Sequence, residues 1–254
     1  MAWDPDTYNK FKSERFTPFY DLLELVKVKP GLHVLDLGCG TGELTRKLAD
    51  KLPLSNVFGI DSSAEMLNMS DAFRRTKLSF EKRSIEEQLA IGQEWDLIFS
   101  NAAIQWVDNH EKLLPDIISR IRQNGQLLLQ IPAQNHNITN ILLQDLAGED
   151  PFKTALGGWT NHSSVLDIDQ YAQILFENRS RQMTVLEKVY PLVLQDTNAL
   201  FDWVSGTAMI PYVEKLDEET AQLFTTEYKN RLHSAFPKLP VFYPFKRIIL
   251  EATF

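Results

Sequence analysis

The stretch Val34-Leu35-Asp36-Leu37-Gly38-Cys39-Gly40-Thr41-Gly42-Glu43 decides how this chain is to be read. Val34, Leu35 and Leu37 have the character of a buried β-strand, which three glycines at alternate positions, Gly38, Gly40 and Gly42, bring to an end. A helix-like run, Glu43 to Lys51, follows at once. Glycine adopts positive φ and has no Cβ, so backbone at such a turn can come up against a ligand. The helix behind it is expected to direct unpaired N–H groups at the same spot. Strand, glycine turn and helix together point to a nucleotide site; a strand-to-helix turn without a ligand is the alternative.

A second carboxylate extends the pattern. Asn56-Val57-Phe58-Gly59-Ile60-Asp61 reads as a short strand ending in Asp61. Asp61 lies one helix beyond Gly38, near the ~20-residue separation expected of a carboxylate that meets ribose hydroxyls. The other reading of Asp61 is a cap on the helix that begins near Ala64, a role that Ser62 or Ser63 also suits.

Length and composition bound the rest. The 254 residues suffice for one large α/β domain or a core with an added cap. Hydrophobic content of 44% and charged content of 24% are those of a globular protein. A net charge of −8 argues against a nucleic-acid partner, because phosphate backbones call for clustered Lys and Arg. Cys39 is the single cysteine, so no intrachain disulfide forms and a reducing, cytoplasmic setting is expected. Between two glycines it reads as a space-filling residue rather than a nucleophile. Met1 to Lys12 lacks the apolar core of a signal peptide, no apolar run is long enough to span a membrane, and the five histidines lack metal-ligand spacing.

Strands and helices alternate through the first half. Strands are predicted at His33–Leu37, Val57–Asp61, Leu78–Lys82, Trp95–Asn101 and Gln126–Ile131. Helices are predicted at Tyr8–Val28 (with Pro18 a possible break), Glu43–Leu52, Ala64–Arg75 and His110–Arg122, and Asn124-Gly125 is read as a turn. This is a doubly wound parallel pattern. After Pro132 the pattern changes. Helices are expected at Asn137–Ala147, Asp167–Asn178, Thr197–Val204 and Glu218–Phe236, and strands at Met183–Val189 and Arg247–Phe254.

The motif Asp36-x-Gly38-x-Gly40-x-Gly42 differs from the G-x-G-x-x-G of dinucleotide folds and resembles the first motif of class I methyltransferases that use S-adenosylmethionine. Further stretches resemble the trans-aconitate methyltransferase family: Tyr8-x-x-Phe11-x-x-Glu14-Arg15-x-x-Pro18, Gly59 to Ser63, Trp95 to Ala102, Gln105-Trp106, Asp202-Trp203-Val204 and Leu223-Phe224 to Tyr228. Related carboxyl methyltransferases, the insect juvenile hormone acid enzymes among them, share the Gln-Trp pair. The resemblance implies a Rossmann-like seven-stranded methyltransferase sheet whose last two strands form its antiparallel edge, with a helical cover inserted in the C-terminal half. The cofactor-binding core would take residues 1–135, 180–195 and 245–254, and the substrate cover 136–179 and 196–244.

The resemblance also implies a site of binders without a catalytic base. An acceptor carboxylate, with an ordinary pKa of about 4, is already ionised near neutral pH and needs alignment and dehydration. Asp36, Gly38, Cys39, Gly40, Gly42, Asp61, Ser62, Ser84, Ile85 and Asn101 are the expected cofactor-binding residues. Asp36 serves the methionine ammonium or caps the turn. Ser84 stands where this class often has an acid beside the adenine; it either accepts from the adenine or caps the next helix.

Arg15, Gln105, Trp106, Trp203, Tyr212 and Arg247 are the expected substrate contacts. Arginine meets carboxylates bidentately; a solvated strand-end charge is the alternative for Arg247, and a surface pair with Glu14 or Asp21 for Arg15. Core packing is the alternative for Trp106 and Trp203. The strand-four exit, Ser100-Asn101-Ala102-Ala103, lacks the Asp/Asn-Pro-Pro-Tyr of DNA amino-methyltransferases. The resemblance implies a small acid, trans-aconitate or a relative, as the partner, with monomer a plausible state. A fatty or isoprenoid acid, an acyl-carrier-bound carboxyl or an amine are other acceptors. A non-catalytic S-adenosylmethionine-binding protein and a nicotinamide oxidoreductase are the remaining rivals.

Overall fold

The computed structural model describes residues 12–161 and 163–254, without the side chains of Lys12, Ser13 and Arg15. Seven strands form one sheet: β1 (His33–Leu37), β2 (Asn56–Asp61), β3 (Leu78–Lys82), β4 (Trp95–Asn101), β5 (Ile121–Pro132), β6 (Gln182–Leu194) and β7 (Val241–Thr253). Their order is β3-β2-β1-β4-β5-β7-β6. The first five pair in parallel, and β7 runs antiparallel to β5. The order reverses beside β1, which creates a crevice between the C-terminal ends of β1 and β4, the place where open α/β sheets receive ligands.

The helices flanking the sheet are α1 (Lys12–Glu24), α2 (Glu43–Lys51), α3 (Ala64–Ser70), α4 (Ile85–Ala90) and α5 (His110–Ile118). The later helices in chain order are α6 (Ile138–Ala147), α7 (Phe152–Ala155), α8 (Ile168–Glu177), α9 (Thr197–Ser205), α10 (Ile210–Val213) and α11 (Glu218–Ala235).

Several boundaries differ from the sequence expectation, among them the ends of the helices expected at Tyr8–Val28 and His110–Arg122, which stop at Glu24 and Ile118. Helix α1 runs through Pro18 without a break, although a proline in mid-helix removes one N–H donor. Tyr8 and Phe11, expected at its head, lie outside the described residues. Helix α3 stops at Ser70 and passes into a 3₁₀ turn, Asp71–Phe73, instead of reaching Arg75. Strand β5 begins at Ile121, not Gln126. Ile121 pairs with Trp95 and Gln126 with Leu97, so Asn124 (φ +64°) and Gly125 form a bulge, not a turn between elements. Strands β6 and β7 are each 13 residues long, well beyond the expected Met183–Val189 and Arg247–Phe254.

The chain divides into two compact units. The sheet unit comprises Thr17–Pro132, Ser164–Lys188 and Arg247–Phe254. Its core packs Phe19 and Leu22 of α1 and Leu48 of α2 with Val34, Val57, Leu97, Phe99 and Leu128 of the strands, and Phe19 meets Phe99 edge-on at 5.8 Å. Each such side chain contributes about 1.5–3 kcal/mol on burial. The helical unit takes residues up to Phe16, Ala133–Ser163 and Val189–Lys246. Its core is aromatic: Tyr212 stacks on Phe224 at 5.6 Å, and Phe152 meets Phe224 edge-on at 5.1 Å. Buried hydroxyls there find partners, Tyr228 donating to the Thr139 carbonyl (3.0 Å) and Tyr243 bonding the Thr139 hydroxyl (2.8 Å). Among the described residues, no helix is long and apolar enough to cross a membrane.

Candidate active site

All three glycines of the turn have positive φ: Gly38 +76°, Gly40 +54° and Gly42 +78°. A Cβ on Gly38 would lie 2.1 Å from the Cβ of Ala103, which follows β4, so the two strand exits touch only because one has no side chain. Gly59 of β2 plays a similar part for the side chains of Cys39 and Phe80, which would stand 2.9 and 2.8 Å from an added Cβ.

Four N–H groups of the turn are used within the protein. Gly38 and Cys39 donate to the Ile60 carbonyl (2.9 and 2.8 Å), Gly40 to Asp61 Oδ2 (2.8 Å) and Gly42 to the Cys39 carbonyl (3.0 Å). The contribution of these three glycines is clearance. Beyond Gly40 the nearest atom to an added Cβ is Met66 Cε at 3.4 Å.

Asp61 is the brace of the site. Oδ2 accepts from Gly40, and Oδ1 accepts from the Ser63 N–H at 2.9 Å. Each oxygen of an ionised carboxylate accepts about two hydrogen bonds, so these two bonds take up about half the capacity of this half-buried group. The cap of α3 is Ser63, whose hydroxyl accepts from the Met66 N–H; Ser62 is exposed.

Asp36 is 4% exposed, and the Thr45 hydroxyl donates to its Oδ2 at 2.6 Å. Burial pushes its carboxyl up to about 7; the Thr45 bond opposes the rise and the charge of Asp61 adds to it. A carboxyl raised in this way gives stability that is fully present below its ordinary value of about 4 and is lost as pH rises through 7. Burial also pushes the Cys39 thiol up, helped by the charges of Asp36 and Asp61, which suits a filler and not a nucleophile. Ser84 caps α4: its hydroxyl accepts from the Glu87 N–H (3.1 Å), while the Glu87 carboxylate accepts from the Ser84 N–H (2.8 Å). Ile85 beside it is buried.

The exit of β4 is tightly built. Ser100 donates to the Leu37 carbonyl (2.8 Å), tying β4 to β1. Ala102 takes the left-handed conformation (φ +53°) while donating to the Gln130 carbonyl (2.8 Å), a strained position of the sort that clusters at functional sites. Gln105 donates its amide to the Ala102 carbonyl (2.7 Å), and its Oε1 is buried without a hydrogen-bond partner. Trp106 is 62% exposed, so it is not core.

Beneath this exit lies a buried relay that sequence reasoning missed. The Ile104 carbonyl fixes the proton of His110 on Nε2 (2.8 Å); Nδ1 then accepts from the Tyr171 hydroxyl (2.5 Å), whose oxygen accepts from the Leu166 N–H (3.2 Å). Burial holds the His110 pKa below the usual histidine value, against the bonds at Ile104 and Val107 and the charge of Asp108. Neutral His110 therefore stabilises the fold above about pH 6.5, and that stability is lost as pH falls towards its depressed value. Thermal denaturation across this range should show an acid-side loss that His110→Gln abolishes.

The C-terminal ends of β4 and β5 meet the middle of β7 at a polar chain. With its amide set to satisfy both ends, Gln130 donates to Asn101 Oδ1 (2.8 Å) and accepts from Arg247 Nε (3.3 Å). Arg247 is 8% exposed, so it is not a solvated strand-end charge. The one sequence signal for Gln130 is its polarity inside the apolar run Leu127–Ile131.

In the helical unit, Trp203 is buried edge-on against Phe245 at 5.1 Å. Tyr212 lines a small polar cavity with Gln134, Asn140, Gln144, Asn161 and Ser163. Burial pushes its hydroxyl up to about 12, against a hydrogen bond with Asn161. The side chain of Arg15 lies outside the described residues.

A doubly wound sheet with its order reversed at a glycine turn, a buried acid inside the first strand and a second acid closing β2 defines a class I methyltransferase that uses S-adenosylmethionine. Residues 28–175 match the sequence model of a methyltransferase domain family. Trans-aconitate 2-methyltransferase of Deinococcus radiodurans is 39% identical over 259 residues, spanning 100% of this chain and 98% of that protein. Among solved structures, the YcgJ protein from Bacillus subtilis aligns with a TM-score of 0.59 at 13% identity, covering 93% of this chain and 97% of that one. Phosphoethanolamine N-methyltransferase 2 of Haemonchus contortus, solved with S-adenosyl-L-methionine, aligns at 0.55 and 16% identity, over 93% of this chain and 51% of that one. The chain belongs to the methyltransferase family, in the group whose curated relatives carry the trans-aconitate 2-methyltransferase name.

Proposed function

We propose that this protein esterifies one carboxylate of a small polyacid, trans-aconitate or a close relative, in the cytoplasm, with S-adenosylmethionine as the methyl donor. The observation that carries the substrate class is Arg247: an arginine 8% exposed at the C-terminal end of the sheet, held by a buried amide. A guanidinium at this place can meet a carboxylate bidentately, and the curated relatives carry the trans-aconitate 2-methyltransferase name. The donor, when bound, supplies an electrophilic sulfonium methyl group. The residues present fit it. Asp61 offers acceptor capacity for ribose hydroxyls, Gly40 offers clearance, and Asp36 gains a reason to ionise if an ammonium is set against it. Ser84 and Ile85 flank the adenine in this reading. Asn101, Gln105 and the exposed Trp106 stand at the exit of β4, where Trp106 forms an acceptor wall. Within the helical unit, Tyr212 lines a polar cavity and Trp203 packs on Phe245.

The chain's task is to align and desolvate two reactants, since an ionised acceptor needs no base; positioning of this kind lowers barriers by up to ~7–11 kcal/mol. Labelled S-adenosylmethionine and a panel of di- and tricarboxylates test the reading through formation of a base-labile methyl ester, and no ester on any acid would sink it. Arg247→Met is expected to raise KM for the acid by about 10–100-fold, the worth of one or two charge-assisted bonds, while S-adenosylhomocysteine affinity stays unchanged. An unchanged KM would remove Arg247 from the site.

A further inference from the structure

Gln130 is the least expected side chain in β5. Leu127, Leu128, Leu129 and Ile131 around it are buried and apolar, and Gln130 itself is 1% exposed. A carboxamide in such a place is costly unless its donors and acceptor are used. They are used across three strands. Nε2 donates to Asn101 Oδ1 on β4 (2.8 Å); Oε1 accepts from the Ile131 N–H (3.2 Å) and from Arg247 Nε on β7 (3.3 Å). The pairing of the sheet dictates this meeting. Asn101 lies opposite Gln130 in the β4–β5 ladder, and Arg247 lies opposite Pro132 in the β5–β7 ladder.

A guanidinium is planar, and a bond to its Nε sets the rotation of that plane about the side-chain stem. The same amide therefore constrains the plane of Arg247 and the rotamer of the Asn101 carboxamide together. We infer that Gln130 is a positioning residue that selects acidic acceptors by orienting Arg247, and that it couples the acceptor anchor to the end of β4. This rests on the reading of Arg247 as the carboxylate anchor.

The test is steady-state kinetics on Q130L, Q130E, R247M and Q130L/R247M with a tricarboxylate acceptor, with S-adenosylhomocysteine affinity and thermal stability measured alongside. Q130L is expected to raise KM about tenfold while kcat and S-adenosylhomocysteine affinity move less than about threefold. Q130E keeps the volume but places a carboxylate against Arg247 that competes with the acceptor, so its KM should exceed that of Q130L. The double variant should be no worse than R247M, because the amide acts through the arginine. A loss from a purely structural role would instead add to that of R247M. Unchanged KM in folded Q130L while R247M raises it, or full additivity in the double variant, overturns this inference and leaves the Arg247 reading standing. Unchanged KM in R247M overturns both. Should Q130L not fold, Q130E with its like-sized side chain carries the comparison.

Discussion

Asp61→Ala should weaken S-adenosylmethionine binding about 100-fold and lower the thermal stability of the free protein at the same time. The carboxylate accepts from the Gly40 and Ser63 N–H groups at 2.8 and 2.9 Å, so its removal leaves two backbone donors without their acceptors. Bonds to charged groups contribute about 1.5–3 kcal/mol each, and loss of the ribose contacts alone amounts to about 3 kcal/mol, or a factor near 100 in Kd. Asp61→Asn makes the sharper comparison. An amide has one acceptor oxygen and one donor nitrogen, and the two N–H groups need an acceptor on both sides. One of them would then face an NH₂, so the isosteric change is expected to lose at least tenfold in affinity. Calorimetry with S-adenosylhomocysteine reads both variants. Affinity within threefold of the parent in Asp61→Ala would show that Asp61 braces the turn without touching the ligand.

The same residue shows why this part of the site was legible in the sequence. From β1 through the glycine turn to Asp61, the hydrogen bonds that Asp36 makes to Thr45 and Asp61 makes to Gly40 lie within one strand–helix–strand unit, and the residue types follow from local geometry. The strand-four exit was legible for the same reason, since Asn101 to Trp106 are consecutive. The remainder depends on pairings set by the whole sheet. The bulge that starts β5 at Ile121 arises because Trp95 takes Ile121 as its partner while Leu97 takes Gln126. No property of Asn124-Gly125 alone distinguishes that bulge from a turn. His110 meets Tyr171 across 61 residues, and Arg247 reaches Gln130 only because β7 inserts between β5 and β6. Ser84 illustrates the opposite case: its cap was readable from serine's preference and the Glu three positions on.

Gly38→Ala is the substitution expected to disturb the fold most, and its partner residue makes the cause testable. The new Cβ would overlap that of Ala103 at 2.1 Å. Both atoms are fixed to backbone, so no rotamer relieves the contact, and the relief must come from moving β1 away from the β4 exit. Overpacking of this kind costs about 1–3 kcal/mol, and holding alanine at positive φ adds about 1–2 kcal/mol. A total near 4 kcal/mol is a large part of the ~5–15 kcal/mol that stabilises a typical domain, and it predicts a Tm lower by about 8–16 °C. S-adenosylhomocysteine binding should fall with it, since Ala103 and the strained Ala102 are displaced together. Ala103→Gly removes the atom that the new Cβ strikes while leaving the positive φ of residue 38 unrelieved. The double variant should therefore recover about half of the lost Tm and most of the binding, whereas Ala103→Gly alone costs only the ~0.5–1 kcal/mol of a glycine's extra freedom. Strict additivity in the double variant would place the damage in backbone strain at residue 38 and not in the contact between the two strand exits.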